Sequence, residues 1–198
     1  MKCYHHMPRA RFSKDPLNPA AQVFWGRVPL KSISVAFLYN KGNALQQLIH
    51  AFKYRGHQEI GIFLGEELGK EISATPGAEN IHLIIPVPLH PRKKKKRGFN
   101  QSEIIADGIA KRLNAEVNST ILKRKAYSST QTRKTKYERW QNVENIFELK
   151  NPQLIKNRHI ILIDDVITTG ATLEACAQCL LHVEGVEVSV GALAYTRS

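Results

Sequence analysis

The sequence has 198 residues, of which 42% are hydrophobic and 23% charged, a composition typical of one globular domain. It has no apolar run long enough to cross a bilayer and no secretion signal after Met1, so we expect a cytoplasmic protein without a membrane partner. The net charge of +12 indicates an anionic partner, either a polyphosphate ligand or a nucleic acid, although a solubilising surface would give the same charge.

The first part of the chain predicts an irregular arm, a strand and two helices. Residues 1–30 are rich in Pro, Arg and Asn and lack a steady period, which favours an irregular N-terminal arm. Residues 32–39 are typical of a strand. Two amphipathic helices follow, one between Asn43 and the stop at Gly56, and one with its apolar stripe in residues 60–72.

From residue 81 onward the pattern alternates between strands and helices. Residues 81–87 and 160–163 are short aliphatic runs, as in buried parallel strands, and residues 186–194 form a last strand. Helices are predicted to begin at Asn100 and at Gly170. This alternation indicates an α/β fold with a mainly parallel central sheet flanked by helices.

Basic residues are concentrated in three segments, at positions 92–97, 123–125 and 133–139. The first, RKKKKR, leads directly into GFNQSE and a helical pattern, so we predict a loop inside the domain rather than a nuclear localisation signal. Residues 126–142 have almost no aliphatic side chains, which predicts a long flexible loop at about residues 124–146.

Residues 160–172, IILIDDVITTGAT, carry the pattern with the most specific chemistry. The carboxyl ends of parallel strands form the ligand crevice of an open sheet, so Asp164 and Asp165 should emerge there. The following TTGAT, at a helix start, offers backbone amides, hydroxyls and the positive end of the helix dipole, which together favour a phosphate. Acids and loop together suit a sugar phosphate; the alternative is an ordinary strand-to-helix turn. The sequence has neither a P-loop nor a dinucleotide-binding pattern.

This segment resembles the 5-phosphoribosyl diphosphate (PRPP) signature of type I phosphoribosyltransferases. Together with HAFKYRG at residues 50–56, PVPLHPRKKKKRGFNQSE at 86–103 and TQTRKTKYERWQNVENIF at 130–147, it makes the chain resemble the ComF family of competence-associated phosphoribosyltransferase-like proteins. The resemblance implies a type I phosphoribosyltransferase fold over residues 31–198, with a small N-terminal hood. In the family a four-cysteine zinc finger precedes this domain. Here only Cys3 could belong to one, so either the start of the sequence is truncated or mis-assigned, with residues 1–30 as a remnant of the finger, or this member lacks the finger. No complete zinc site is expected.

The resemblance also implies roles for individual residues. The expected PRPP-binding residues are Asp164, Asp165, Val166, Thr168, Thr169, Gly170, Ala171 and Thr172. The expected diphosphate loop contains Pro86, Val87, Pro88, Leu89 and His90, with Arg97 and Asn100 continuing it. Pro88 favours a strained peptide or an unusual turn there, and the alternative role of Asn100 is a helix cap.

Catalysis is expected to involve Asp164 and Asp165 together with Arg133 and Lys134, which would lie on a lid formed by the long polar loop. Further basic candidates, each of which could instead be a solvated surface charge, are Arg124, Lys136, Lys53 and Arg55. Mg²⁺ would be bound through the ligand together with Asp164 or Asp165.

Two functional hypotheses follow. The first is a Mg²⁺-dependent phosphoribosyltransferase that uses PRPP, or another nucleotide containing ribose 5-phosphate, and releases diphosphate as it transfers the 5-phosphoribosyl group. The second is a regulatory PRPP-binding protein in DNA uptake that binds single-stranded DNA through its basic patches. The acceptor, expected in a hood built from parts of residues 10–60, and the oligomeric state do not follow from the sequence.

Overall fold

The computed structural model describes residues 7–196 except 13, 14, 16, 41 and 126–145. Five strands form a parallel central sheet: β1 (Ile33–Leu38), β2 (Leu83–Pro86), β3 (Glu116–Val117), β6 (His159–Ile167) and β7 (Glu187–Tyr195). Their order across the sheet is β1-β7-β6-β2-β3. Two further strands, β4 (Leu122–Arg124) and β5 (Phe147–Leu149), form a separate antiparallel pair. The predicted α/β fold with a parallel sheet is confirmed.

Six helices accompany these strands in the described residues: α1 (Pro19–Gln22), α2 (Ala44–Arg55), α3 (Gln58–Ser73), α4 (Pro91–Arg97), α5 (Gln101–Ala110) and α6 (Ala171–Leu181). Single 3₁₀ turns lie at Ala78–Asn80 and Pro152–Leu154. Within the described ranges, no helix is long and apolar enough to cross a membrane.

The sheet separates two apolar layers, and the side chains of β6 contribute to both. Ile160 and Leu162 pack with α6, the β4-β5 pair and the N-terminal arm, whereas Ile161 and Ile163 pack with α2, α3 and α5. Because both faces of β6 are covered, its sequence is a continuous aliphatic run rather than an alternating one.

Caps define the predicted helices. Asn43 precedes α2, and its side chain accepts a hydrogen bond from the amide of Gln46 at 2.9 Å. Gly56 ends the helix. Asn100 precedes α5 and accepts from the amide of Ser102 at 3.2 Å. Each cap satisfies an otherwise unpaired backbone donor at a helix start, as the sequence predicted.

The basic segment at residues 92–97 is helical, which corrects the predicted loop. Pro91 occupies the first turn of α4, and the Nδ1 atom of His90 accepts from the Arg92 amide at 3.2 Å. Gly98 ends the helix in the left-handed conformation, with φ of 83°. Lysine and arginine are good helix formers and suit the carboxyl end of the helix dipole. The helix buries none of its residues, so no apolar stripe marked it in the sequence.

The described part of the N-terminal arm packs onto the domain. It is irregular except for α1, and its backbone follows β1 through the amide of Ala10, which donates to the Ala36 carbonyl at 3.0 Å. Ala20 and Phe24 are buried in the same layer as α6. The arm therefore contributes to the core, and the predicted domain boundary at residue 30 stays a prediction.

Candidate active site

The candidate site lies between the carboxyl ends of β2 and β6. These strands are neighbours, and Pro86 at the end of β2 pairs with Ile163. The strand that follows β2 in the chain, β3, lies on the outer side of β2, and the strand that follows β6, β7, lies on the opposite side of the β2-β6 pair. This reversal of direction opens a crevice at the strand ends, where ligands bind in open α/β sheets.

The acid pair forms the floor of this crevice. Asp164 and Asp165 are half-buried in the last part of β6. The Oδ1 atom of Asp164 accepts hydrogen bonds from the Asp165 amide at 2.8 Å and from the Ser102 hydroxyl at 3.3 Å. The Oδ2 atom of Asp165 lies 2.5 Å from Nζ of Lys53, which α2 supplies. The two carboxyl groups therefore have different partners.

The surroundings of the acid pair also raise the pKa of one carboxyl group, that of Asp164. Burial, followed by the negative charge of Asp165, raises the pKa of Asp164 to about 7. The hydrogen bond from the Asp165 amide and the charge of Lys53 act in the opposite direction. Near neutral pH the Asp164 carboxyl is thus able both to donate and to accept a proton. Such a shift is typical of functional sites.

The TTGAT loop lies directly after the acids. Thr168, Thr169, Gly170, Ala171 and Thr172 line a cavity of about 40 Å³ together with Asp164 and Val166. Gly170 is the N-cap of α6, and no side chain in the described part of the protein caps this helix. The first amides of α6 consequently remain available to an anion at the positive end of the dipole.

The arm holds this loop in place. A Cβ atom on Gly170 would lie 2.8 Å from both Val23 and Phe24, and the φ of Gly170 is 72°, so the position favours glycine on two grounds. Arg27 donates to the Thr169 carbonyl at 2.8 Å and forms an ion pair with Glu174 of α6. Sequence reasoning missed Arg27, because nothing near it in the sequence points to a loop 142 residues away.

The segment predicted as a diphosphate loop borders a second cavity, of about 190 Å³. Its loop wall consists of Val87, Pro88 and Leu89. The buried Asn100 donates to the Val87 carbonyl at 3.0 Å, and so acts both as a helix cap and as an anchor for this loop. Among the described residues there is no cis peptide, and none of residues 86–90 has a positive φ, so the strained peptide expected at Pro88 is not found and the unusual turn stays a prediction.

Most of the predicted site residues meet at these two cavities. The larger cavity is also lined by Arg97, Asn100, Asp164, Asp165 and Thr172. Asp164 and Thr172 line both cavities and therefore join them. Pro86 and His90 line neither, since Pro86 ends β2 and His90 caps α4. Arg133, Lys134 and Lys136 lie outside the described residues.

Basic and polar side chains complete the larger cavity. Lys53 and Arg124, two of the further candidates, line it, but Arg55 does not. Sequence reasoning missed three lining residues: Lys93, Gln101 and Ser102. The sequence did point to Gln101 and Ser102, because they begin a helix directly after the predicted diphosphate loop.

The fold and these cavities define a class of protein. A family model described as phosphoribosyl transferase domain matches residues 100–198, half of the chain. The match includes the acid pair, the TTGAT loop and α5. The chain therefore contains a phosphoribosyltransferase-type domain.

Curated relatives define the family more narrowly. DNA utilization protein YhgH of Escherichia coli (strain K12) is 33% identical over 155 residues, which cover 77% of this chain and 67% of that protein. Competence protein ComFC of Bacillus subtilis (strain 168) is 31% identical, covering 81% of this chain and 63% of that protein. Competence protein F of Haemophilus influenzae is 30% identical, covering 76% and 67%. This chain belongs to the ComF family, as the sequence motifs predicted, and it spans about two thirds of the length of these relatives.

Solved structures with a similar chain path include the allosteric regulatory enzyme of purine biosynthesis, at 18% identity and a TM-score of 0.49. That match covers 72% of this chain and 29% of the enzyme. A hypoxanthine phosphoribosyltransferase from Staphylococcus aureus is matched at 15% identity and a TM-score of 0.40, covering 71% of this chain and 68% of that chain.

Proposed function

We propose that this protein binds PRPP in the joined cavities and transfers its 5-phosphoribosyl group to an acceptor in a Mg²⁺-dependent reaction. The proposal rests on the observation that two residues line both cavities. Asp164 and Thr172 belong to both, so one ligand can contact the TTGAT loop, the acid pair and the loop after β2 at the same time.

Each part of PRPP has a counterpart in the site. The uncapped start of α6 suits the 5-phosphate, because its backbone amides and the helix dipole favour an anion. The acid pair suits the vicinal hydroxyl groups of the ribose, which donate to carboxylates. The larger cavity, with Lys53, Lys93, Arg97 and Arg124, suits the diphosphate.

The side chains present also fit Mg²⁺. The described residues contain no cluster of three or more His, Cys, Asp and Glu residues that would hold a metal alone. Mg²⁺ commonly binds through one or two carboxylates together with ligand phosphates, and Asp164 or Asp165 could supply that carboxylate. When bound, the ion would neutralise charge on the departing diphosphate.

In this reaction the bond between C1 of the ribose and the diphosphate oxygen breaks, and the acceptor nucleophile forms a new bond to C1. Positive charge develops on the sugar and negative charge on the diphosphate as the bond lengthens. The basic side chains of the larger cavity stabilise the latter, and the acid pair holds the ribose in position.

Calorimetric titration with PRPP and Mg²⁺ tests the proposal. We expect the double variant Asp164→Asn/Asp165→Asn to bind PRPP at least about tenfold more weakly, because charge-assisted hydrogen bonds to the ribose are lost. Asp107→Asn, an exposed position on α5 outside both cavities, is the matched control and should bind as the unaltered protein does.

Absence of PRPP binding in the unaltered protein, or equal binding by the double variant, would contradict the proposal. Diphosphate release in the presence of a series of candidate bases then measures transfer. Release without any base would indicate hydrolysis of PRPP.

A second candidate function is binding of single-stranded DNA, and α4 favours it. All residues of this helix from Arg92 to Lys96 are exposed, which gives a compact basic surface next to the larger cavity. One of the relatives is named DNA utilization protein, which associates that protein with DNA. The two functions are compatible, since PRPP could regulate a DNA-linked role from a neighbouring site.

A further inference from the structure

A buried amide in the larger cavity has one group without a partner. Gln101, the first residue of α5, is 1% exposed and lines this cavity. Its Nε2 atom is enclosed and has no hydrogen-bond partner in the described part of the chain. Leaving a buried donor unpaired costs about 1–3 kcal/mol, so such a group calls for an explanation.

The orientation of this amide is fixed by its neighbour. Nη1 of Arg97 donates to Oε1 of Gln101 at 2.7 Å. Arginine has only donors, so turning the amide over would bring two donor groups together. Oε1 therefore faces Arg97, and Nε2 has no partner for its hydrogens among the described residues.

Arg97 is also held by a residue of α2. Its guanidinium carbon lies 5.3 Å from the centre of the Tyr54 ring, which α2 supplies next to Lys53. This cation–π contact and the bond to Gln101 together fix the planar guanidinium group. Tyr54, Arg97 and Gln101 thus form a chain of contacts from α2 to the start of α5, which we call the amide clamp.

We propose that the amide clamp binds the diphosphate of the ligand, with Nε2 of Gln101 donating to a diphosphate oxygen beside Arg97 and Tyr54 acting as the positioning residue of Arg97. The inference rests on the proposed function and goes beyond it, because it assigns selection between ligands to one group. Arg97 and Gln101 line the cavity with the other basic side chains, and neither lines the smaller cavity at the TTGAT loop. The clamp therefore distinguishes a sugar that carries a 1-diphosphate from one that carries only a 5-phosphate.

Three ligands and two variants test the clamp by calorimetry: PRPP, inorganic diphosphate and ribose 5-phosphate, each titrated with Mg²⁺. Gln101→Met keeps the length of the side chain but removes the Nε2 donor together with the Oε1 acceptor of Arg97. We expect it to bind PRPP and diphosphate about tenfold more weakly and to bind ribose 5-phosphate within about twofold of the unaltered protein. Gln58→Met is the matched control, since Gln58 is also the first residue of a helix but is exposed, and it should leave all three affinities unchanged.

Tyr54→Leu provides a second variant that does not disturb the core, because Tyr54 is 59% exposed. It frees Arg97, and we expect a smaller loss, about threefold, again confined to PRPP and diphosphate. Equal weakening of all three ligands in Gln101→Met, or no weakening of any, overturns the clamp while leaving PRPP binding intact. If the unaltered protein binds ribose 5-phosphate but neither PRPP nor diphosphate, the proposed function fails instead.

Discussion

At the scale of single residues, the negative charge of Asp164 serves the proposed site but destabilises the folded protein. Its carboxyl group is held beside Asp165 in a half-buried position, where the charged form is disfavoured. The proposed contacts with ribose or Mg²⁺ use that same charge. We therefore expect the residue to lower the stability of the free protein, as functional residues often do.

The substitution Asp164→Asn tests this cost through its dependence on pH. The ordinary pKa of the group is 3.8 and the folded value is about 7, so the folded state binds the proton more tightly than the unfolded state. Stability that Asp164 contributes at low pH is then lost as the pH rises from about 4 to 7. In EDTA we expect the variant to melt a few degrees above the unaltered protein at pH 8 and at about the same temperature at pH 4.

A gain in melting temperature of equal size at both pH values would show that it does not arise from the charge of Asp164. Glu184→Gln, at an exposed carboxylate that forms an ion pair with Lys156, is a suitable control because its effect should be small at either pH.

The residues of the candidate site differ in how far the sequence predicts them. The acids and the TTGAT loop are contiguous, so one motif predicts all of them. Lys53, Arg27 and Gln101 come from three separate helices or turns, and only the packing of those elements brings them to the strand ends. Arg133 and Lys134 stay predictions.

At the scale of elements, the contact between α3 and α5 determines where the start of α5 lies. A Cβ atom on Gly65 of α3 would be 2.4 Å from the carbonyl oxygen of Ile105, and one on Gly108 of α5 would be 2.3 Å from that of Ile62. The two helices therefore touch through their backbones. Because α5 begins with Gln101 and Ser102, this contact also positions the larger cavity.

The substitution Gly65→Ala should separate these helices. In an exposed helix this change usually stabilises by up to about 1 kcal/mol, whereas here we expect a loss of about 1–3 kcal/mol because the new methyl group meets backbone. Urea denaturation measures the change. An unchanged or raised midpoint would contradict the close approach of α3 and α5.

Elements with caps and a clear period are the ones that the sequence predicts well. Asn43, Gly56 and Asn100 mark helix ends, and the aliphatic run of β6 marks a strand covered on both faces. The helix α4 lacks an apolar stripe, and β3, β4 and β5 are only two or three residues long, too short to show a period. Their conformation depends on neighbours that are distant in the sequence.

At the scale of the whole molecule, the basic residues behind the net charge of +12 differ in whether they line the larger cavity. Lys93 lines the larger cavity, whereas Lys95 and Lys96, on the same helix, are exposed and do not. Substitution of these two lysines can therefore separate DNA binding from PRPP binding.

We expect Lys95→Ala/Lys96→Ala to weaken binding to a single-stranded oligonucleotide and to leave the PRPP affinity unchanged. If both lysines contact phosphates, the slope of the logarithm of affinity against the logarithm of salt concentration becomes less negative by roughly 1.4. Fluorescence anisotropy at several salt concentrations measures the slope. Lys150→Ala/Lys156→Ala, which removes the same charge from exposed positions outside α4, is the control, and an equal effect of both pairs would assign the binding to net charge alone.

The order of the strands has a consequence for how the protein is made on the ribosome. In the described sheet β1 pairs only with β7, so that Ile33 lies beside Val190. The nascent chain cannot complete this pairing until β7 has left the exit tunnel, so the apolar strand β1 stays unpaired while all the residues between the two strands are synthesised. We therefore expect newly synthesised chains to depend on chaperones that bind exposed apolar segments until the last strand is available.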